Sequence, residues 1–484
     1  MAETPKLANP IPNTPAGGTP RAWEVGVPDS TYSVVNTHDG NLVTTIPIIG
    51  WSGKGPTFNM VLYHNGLSSG ASLTEPNFGA ELGRGSSMAY SAHLIVDEGV
   101  VTFVADDGSR DVFVRDSFVG PTGGPIWKAA PGVFNVLTQE DGTWILTHKD
   151  QSYHVFDEEG KLKSVVDALG YQIGIFRTEN PLAMIVIHEG ASFLSQTRRL
   201  EIHKEVVGEH IVISKIVDPI EEGVDLPIRR SWDLDHDASG RLTTITNPMG
   251  GVISIAYDSN GRITGMIDQR KTSANPPEPD HEYTFTYAGS RVATVTDPTG
   301  AGGTTGLTQT FSTHFDQGAG ERTMTYTDRQ GAAWKYVYDT ATGMLSRTIS
   351  PFQETRVYGF DAQRNLTLYR DPLGNEWTQT YDIRGNLLTA ADPLGHLQSW
   401  TYDALNNLTS ATDQLGHETT LLYEDPFGPT LLTSVVEPQT ESDESAAVTT
   451  ISYYHGHPDQ PNGMIATVTD PNGVRTTFEY DQWG

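Results

Sequence analysis

The chain has 484 residues, 37% of them hydrophobic, and a formal net charge of −29 from 31 Lys+Arg against 60 Asp+Glu. That acidity disfavours a nucleic-acid partner and adsorption to anionic lipid, because both need a basic face. With no cysteine, disulfide staples, Cys-ligated zinc, iron–sulfur clusters and a thiol nucleophile are excluded.

Residues 1–22 hold five prolines and no apolar run, which predicts a disordered leader rather than an intact signal peptide. Residues 23–155 read as a β-rich N-terminal region. Its predicted strands are Asn41 to Ile49, Thr57 to Tyr63, Val100 to Val104, Val112 to Val114 and Gly142 to Thr147, separated by Gly-rich turns. No segment approaches 18 consecutive apolar residues, so no membrane span is expected. Arg199 to Val217 reads as a hairpin turning at Val206-Val207-Gly208-Glu209 rather than as a helix.

From about residue 156 to the end the chain repeats itself. Phe360-Asp361, Tyr381-Asp382, Tyr402-Asp403 and Tyr423-Glu424 recur every 21 residues. A second marker keeps the same period: Asp371-Pro372-Leu373-Gly374, Asp392-Pro393-Leu394-Gly395 and Asp413-Gln414-Leu415-Gly416. Weaker copies begin at Phe156-Asp157, His236-Asp237 and Tyr257-Asp258. Asp-Pro-x-Gly suits a type I turn: Asp caps local amides, Pro presets φ, and Gly follows. The Tyr-Asp turns end in Gly385 or Asn406, residues that tolerate positive φ. Short β-rich arms lie between, with Gln398, Trp400 and Tyr402 on one face. Each unit is predicted to be one β-hairpin, and stacking should build an aromatic ladder. Insertions at Ser273 to Asp280, Ala301 to Leu307 and Glu437 to Ala447 lengthen particular arms. The chain stops at Tyr480-Asp481-Gln482-Trp483-Gly484, the opening of another unit, so a truncated array is expected.

Tyr381-Asp382-Ile383-Arg384-Gly385-Asn386-Leu387 followed by Asp392-Pro393-Leu394-Gly395 resembles the YD repeat of the rearrangement-hotspot (RHS) family. Asp39-Gly40-Asn41-Leu42-Val43 with Tyr63-His64-Asn65 is similar to the segment that precedes the repeats in bacterial members. The resemblance implies an all-β fold: a long array of stacked hairpins spiralling into part of a hollow shell, preceded by a β-rich region. It implies a non-enzymatic scaffold, secreted or at the cell surface, enclosing a C-terminal toxin or effector passenger that this chain lacks. Secretion machinery is a further partner of that reading. The alternative is an extracellular adhesion or carbohydrate-binding repeat protein; a β-propeller is a third reading, since two units approach the length of a blade.

Four features carry residue types that could support chemistry of their own. Asp371 and Asp392 belong to paired motifs of the kind the family uses for self-cleavage, but stacked turns ~10 Å apart are too distant for carboxylates sharing a proton. Asp233, Asp235 and Asp237 outline an acidic loop without the Gly and Glu of a calcium loop. His455 and His457 offer two metal nitrogens and no third ligand. Gly53-Lys54-Gly55 is too short for a phosphate loop. Turn chemistry and packing account for each, so no catalytic residue, no cofactor and no metal is expected. The Tyr/Trp ladder is read as structural stacking before sugar binding.

Overall fold

In the computed structural model the described residues are 24–26, 33–51, 55–66, 82, 85–119, 125–177, 185–189, 199–217, 229–269, 281–296, 307–438, 446–457 and 460–480. The leader at 1–22 lies outside them, as do Gly53-Lys54 and most of the three insertions. Every regular element named among the described residues is a strand.

Two sheets form. The first has five antiparallel strands in chain order, from Glu24–Gly26 to Ser86–Met88. The second is a ribbon that starts at His93–Asp97, well upstream of the first Tyr-Asp signature, and ends at Arg475–Thr477. Within the ribbon each strand pairs antiparallel with its neighbours in sequence, as hairpin follows hairpin. One ribbon in strict order removes the propeller reading, which needs separate four-stranded blades. The ladder of the last strand is with the strand before it, and a bridge from His93 to Lys161 curls the first strand against the start of Leu162–Val166. The ribbon is therefore a coil, tightest at its beginning. Long twisted sheets curl in this way because strand twist accumulates.

The hairpin at 199–217 forms with strands Arg199–Val207 and His210–Val217. The repeat hairpins form as the turn chemistry predicts. Asp382 Oδ1 accepts the Arg384 and Asn386 amides, both at 2.8 Å. Asp371 Oδ1 accepts those of Leu373 and Asn375 at 2.9 and 2.8 Å. The fourth turn residue takes positive φ: +88° at Gly374, +72° at Gly385, and +68° at Asn406, whose amide side chain makes it the next most tolerant residue. Tyr423-Glu424 departs from the pattern. Its strand ends at Leu422, and Asp425 instead accepts the Phe427 and Gly428 amides.

The sequence does not show what happens at the aromatic that closes most of these hairpin strands. The ladder slips one residue there, at Ala256/Tyr257, Thr380/Tyr381 and Thr401/Tyr402, and also at Thr286/Tyr287, where Ala288 replaces the Asp. A bulge of this kind twists the strand and re-aims the side chain. The freed tyrosine reaches the preceding hairpin: Tyr257 and Tyr287 donate to the carbonyls of Leu242 and Ile263 at 2.8 and 2.6 Å. Arg241 and Arg262 lie over the same two rings, 5.3 and 4.3 Å from the centroids. The expected ladder is thus a set of stitches between neighbours more than a continuous stack. Direct ring contact runs instead through Tyr358, Tyr369 and Trp377, at 5.7 and 5.4 Å.

The core is uneven. One apolar cluster joins the first sheet (Val35, Leu42, Phe58) to the early ribbon (Leu94, Leu242, Met266). Beyond Met324 the core shrinks to small clusters around Tyr338 and Tyr358, then Ala390 and Trp400. In Glu376–Tyr381 one residue of six, Gln379, is buried. The early ribbon is half of a two-layer packing; the late ribbon is a single sheet.

Candidate functional site

The ribbon has two edges, set by the alternation of turns. One carries the Tyr-Asp turns, such as 382–385 and 403–406; the other carries the Asp-Pro turns, such as 371–374 and 392–395. Turns 130–135, 148–152 and 167–171 lie on the Asp-Pro edge of the early ribbon.

The coil brings these edges together. Lys149 Nζ donates to Gly385 O at 2.9 Å across 236 residues. Gln151 Nε2 donates to Leu405 O at 3.1 Å, and Asn406 Nδ2 to Lys149 O at 3.1 Å. Phe134 fills the space under Gly385: a Cβ there would lie 2.6 Å from its ring. Burial pushes the Lys149 ammonium below its ordinary value, while the nearby Asp382 carboxylate works the other way. Farther along, Tyr171 donates to Asn462 O at 2.7 Å across 291 residues, and Leu169 packs beneath Gly428 and Gly463. The later Tyr-Asp edge is therefore seated on the earlier Asp-Pro edge.

Upstream, the first sheet takes the place of the missing coil. Val292 N donates to Gly40 O at 2.9 Å. Thr37 Oγ1 and the Tyr338 hydroxyl are 2.6 Å apart, and His38 meets the Tyr338 ring edge-on at 5.1 Å. His64 is buried beside a small cavity that Leu62, Leu242, Ile255 and Tyr257 line. Its Nδ1 is 2.9 Å from Ser86 Oγ, its Nε2 has no hydrogen-bond partner, and burial pushes the imidazole down to about 4. Asp106 anchors the link between the sheets by accepting the Tyr90 and Ala92 amides at 3.0 and 2.7 Å; burial pushes its carboxyl up to about 6.

The Asp-Pro edge of the later ribbon presents a different surface. Phe352, Leu373, Leu394 and Leu415 occupy the same turn position at 21-residue spacing and are 86, 88, 82 and 81% exposed. Leu169 holds the corresponding place in Asp167-Ala168-Leu169-Gly170, and there Gly428 and Gly463 of the later coil lie against it and reduce its exposure to 37%.

The sequence candidates have other employment. Asp371, Asp392 and Asp413 each serve their own turn, and hydrogen bonds within that turn hold their carboxyls below the ordinary range, led at Asp371 by the Asn375 side chain. A shared-proton pair needs one carboxyl raised. Asp233 pairs with Lys215 at 2.9 Å, Asp235 accepts Thr244 Oγ1 at 2.6 Å, and Asp237 pairs with Arg241 at 2.6 Å. The three do not converge. His455 Nε2 meets Asp425 Oδ2 at 2.8 Å while His457 packs against Tyr454, so these rings face different partners. Among the described residues no group of three or more His, Asp or Glu is disposed to hold a metal. Of the ladder rings considered for sugar stacking, Trp400 is buried and Trp377, Tyr381 and Tyr402 are half-buried.

Comparison with known proteins agrees with the turn pattern. A family model described as RHS Repeat matches residues 236–272 and 360–397. Those two segments match RHS repeats. Among solved structures, the chain is similar to "Crystal Structure of TcdB2-TccC3-Cdc42", at 11% identity and a TM-score of 0.32, over 92% of this chain and 27% of that one. It is similar to the Photorhabdus luminescens Tc holotoxin pore carrying the TccC3 mutation D651A, at 12% identity and a TM-score of 0.26, over 92% and 26%. A porin-like protein from Bacteroides uniformis follows at 9% identity and a TM-score of 0.18, over 56% and 88%. The chain spans about a quarter of the length of the Tc structures it matches. A search of curated proteins gave no match.

The seam residues Phe134, Lys149, Gln151, Leu169 and Tyr171 escaped sequence reading. The Asp-x-Leu-Gly of 167–170 was the available signal, because it marks the early strands as part of the same edge system.

Proposed function

We propose that this chain is a structural wall: an RHS scaffold that encloses a passenger and performs no chemistry itself. The observation that carries the reading is the late ribbon's construction. It is a single sheet whose Tyr-Asp edge is seated on an earlier coil and whose strands bury one side chain in six or so. A sheet used as a wall needs hairpins that brace their neighbours, and the Tyr-Asp stitches and Asp-capped turns supply that bracing without a thick core. In this reading the row Phe352, Leu373, Leu394 and Leu415 is where the Tyr-Asp edge of a further repeat coil seats, as Leu169 is seated here. The passenger is a C-terminal toxin or effector, and the protein acts after export. The alternative, adhesion through stacked sugars, has less support because its rings are largely spent on the sheet.

Protease protection tests the proposal. The natural protein containing these residues is digested under native conditions. A passenger that survives while the separately expressed passenger is degraded agrees with the wall. Equal cleavage of both overturns it.

A further inference from the structure

Three of the hydrogen bonds across the coil seam are made by one turn, His148 to Ser152, through Lys149 and Gln151. Behind that turn lies a pair of histidines that the wall reading leaves unexplained. His148 Nε2 and His154 Nδ1 are 2.7 Å apart, with the rings at 78°. His148 Nδ1 meets Asn135 Oδ1 at 3.1 Å. Phe103 and Phe156 lie beside the His154 ring at 6.0 and 6.2 Å, and 6.2 Å from each other.

We propose that the His148–His154 pair is an acid-operated latch on the coil seam. The Asn135 carbonyl takes the Nδ1 proton of His148, so His148 Nε2 is the acceptor and His154 Nδ1–H the donor. The neutral pair makes both hydrogen bonds. A first added proton at His154 Nε2 leaves the bond intact but places a cation in a buried site, where it is poorly solvated. A second, at His148 Nε2, sets N–H against N–H and breaks the bond. Either strains the turn that carries Lys149 and Gln151.

The surrounding charges do not cancel this. Asp111 and Asp150 attract a proton to His148, and Asp150 also acts on His154. Across the seam, Asp382 and Arg384 act on Lys149 with opposite signs. Burial outweighs the carboxylates: it leads the lowering of both rings, to about 3 at His154. A histidine whose folded value lies below the ordinary 6.5 makes the closed form lose stability as pH falls below 6.5, with the loss complete below the folded value.

The absence of cysteine makes the test clean. Val136, on the early coil, and Ala404, on the later one, are exposed. Spin labels at V136C and A404C report the seam distance from pH 8 to pH 3.5, with far-UV circular dichroism recording whether the strands persist. The expected result is a lengthening that sets in below about pH 6 while strand signal is retained. With His148→Gln and His154→Gln together, the onset should fall by about one pH unit or more. Nuclear magnetic resonance of the parent's imidazoles provides a readout independent of the variants: both rings must titrate over the range in which the distance lengthens. A distance unchanged down to the loss of strand signal overturns the latch. So does an onset that is the same in parent and double variant, or imidazoles that titrate near 6.5 with the seam closed.

Discussion

The two edges of the ribbon are built from nearly the same turn, and they meet different fates. At the Tyr-Asp edge Gly385 takes φ +72° with Phe134 pressed beneath it. At the Asp-Pro edge Gly395 takes φ +84° and a Cβ would meet nothing within 4 Å. The local chemistry is the same: an Asp Oδ1 accepts two amides and the fourth residue is left-handed. What differs is what the coil delivers. Turn chemistry thus makes hairpins, while the identity of neighbours hundreds of residues away decides which turns become an interface.

Substitutions at equivalent turns can break that comparison. Gly385→Val adds left-handed strain and a clash with Phe134, and should cost about 3 kcal/mol or more. Gly395→Val adds the strain alone, about 1–2 kcal/mol. Urea unfolding of the two variants reads the difference; equal losses would mean that the seam adds nothing. Asn406→Ala comes next. It removes the bond to Lys149 O and a residue suited to φ +68°, for about 1–2 kcal/mol by the same measurement.

Acid should separate the junctions from the free edge. His64, pushed down to about 4, contributes docking stability that falls as pH drops from 6.5 toward 4. Asp106, pushed up to about 6, acts oppositely: its contribution falls as pH rises from 3.8 to 6. Asp392 and Asp413 are held below 3.8, so their turns weaken only as pH falls below that value. Hydrogen exchange along a pH series should therefore show His64→Gln flattening the acid loss at the first sheet while leaving the Asp-Pro turns unchanged. The smallest effect is expected at the free row. Leu373→Ser, Leu394→Ser and Leu415→Ser should each change unfolding free energy by less than about 0.5 kcal/mol, because nothing is packed on them. A larger loss would mean that the row is already covered.

Much of the fold was legible from Asp-Pro-Leu-Gly and Tyr-Asp alone, because a turn is decided by four or five adjacent residues. Gly374, Gly385 and Asn406 take the backbone shape their side chains permit. Part of the acidity also becomes intelligible: Asp237, Asp258, Asp382 and Asp403 are turn caps, not a charge field awaiting a partner. The bulge at each Tyr was not legible, since a one-residue slip depends on how the neighbouring strand pairs. The seam was still less so. His148 to Ser152 lacks the repeat signature, and its partners lie 236 to 257 residues away. His64 reads as one polar residue in a strand until Tyr257 closes over it.

The later Tyr-Asp edge sits on the earlier Asp-Pro edge, and the distance between labels at V136C and A404C near neutral pH reads that seating. Strands Val136–Glu140 and Leu397–Tyr402 are so far apart in the ribbon that an uncoiled sheet would separate them by roughly 100 Å at strand spacing. The seated coil predicts a single narrow distance of about 20–30 Å, label arms included. A broad distribution centred beyond about 50 Å would contradict it.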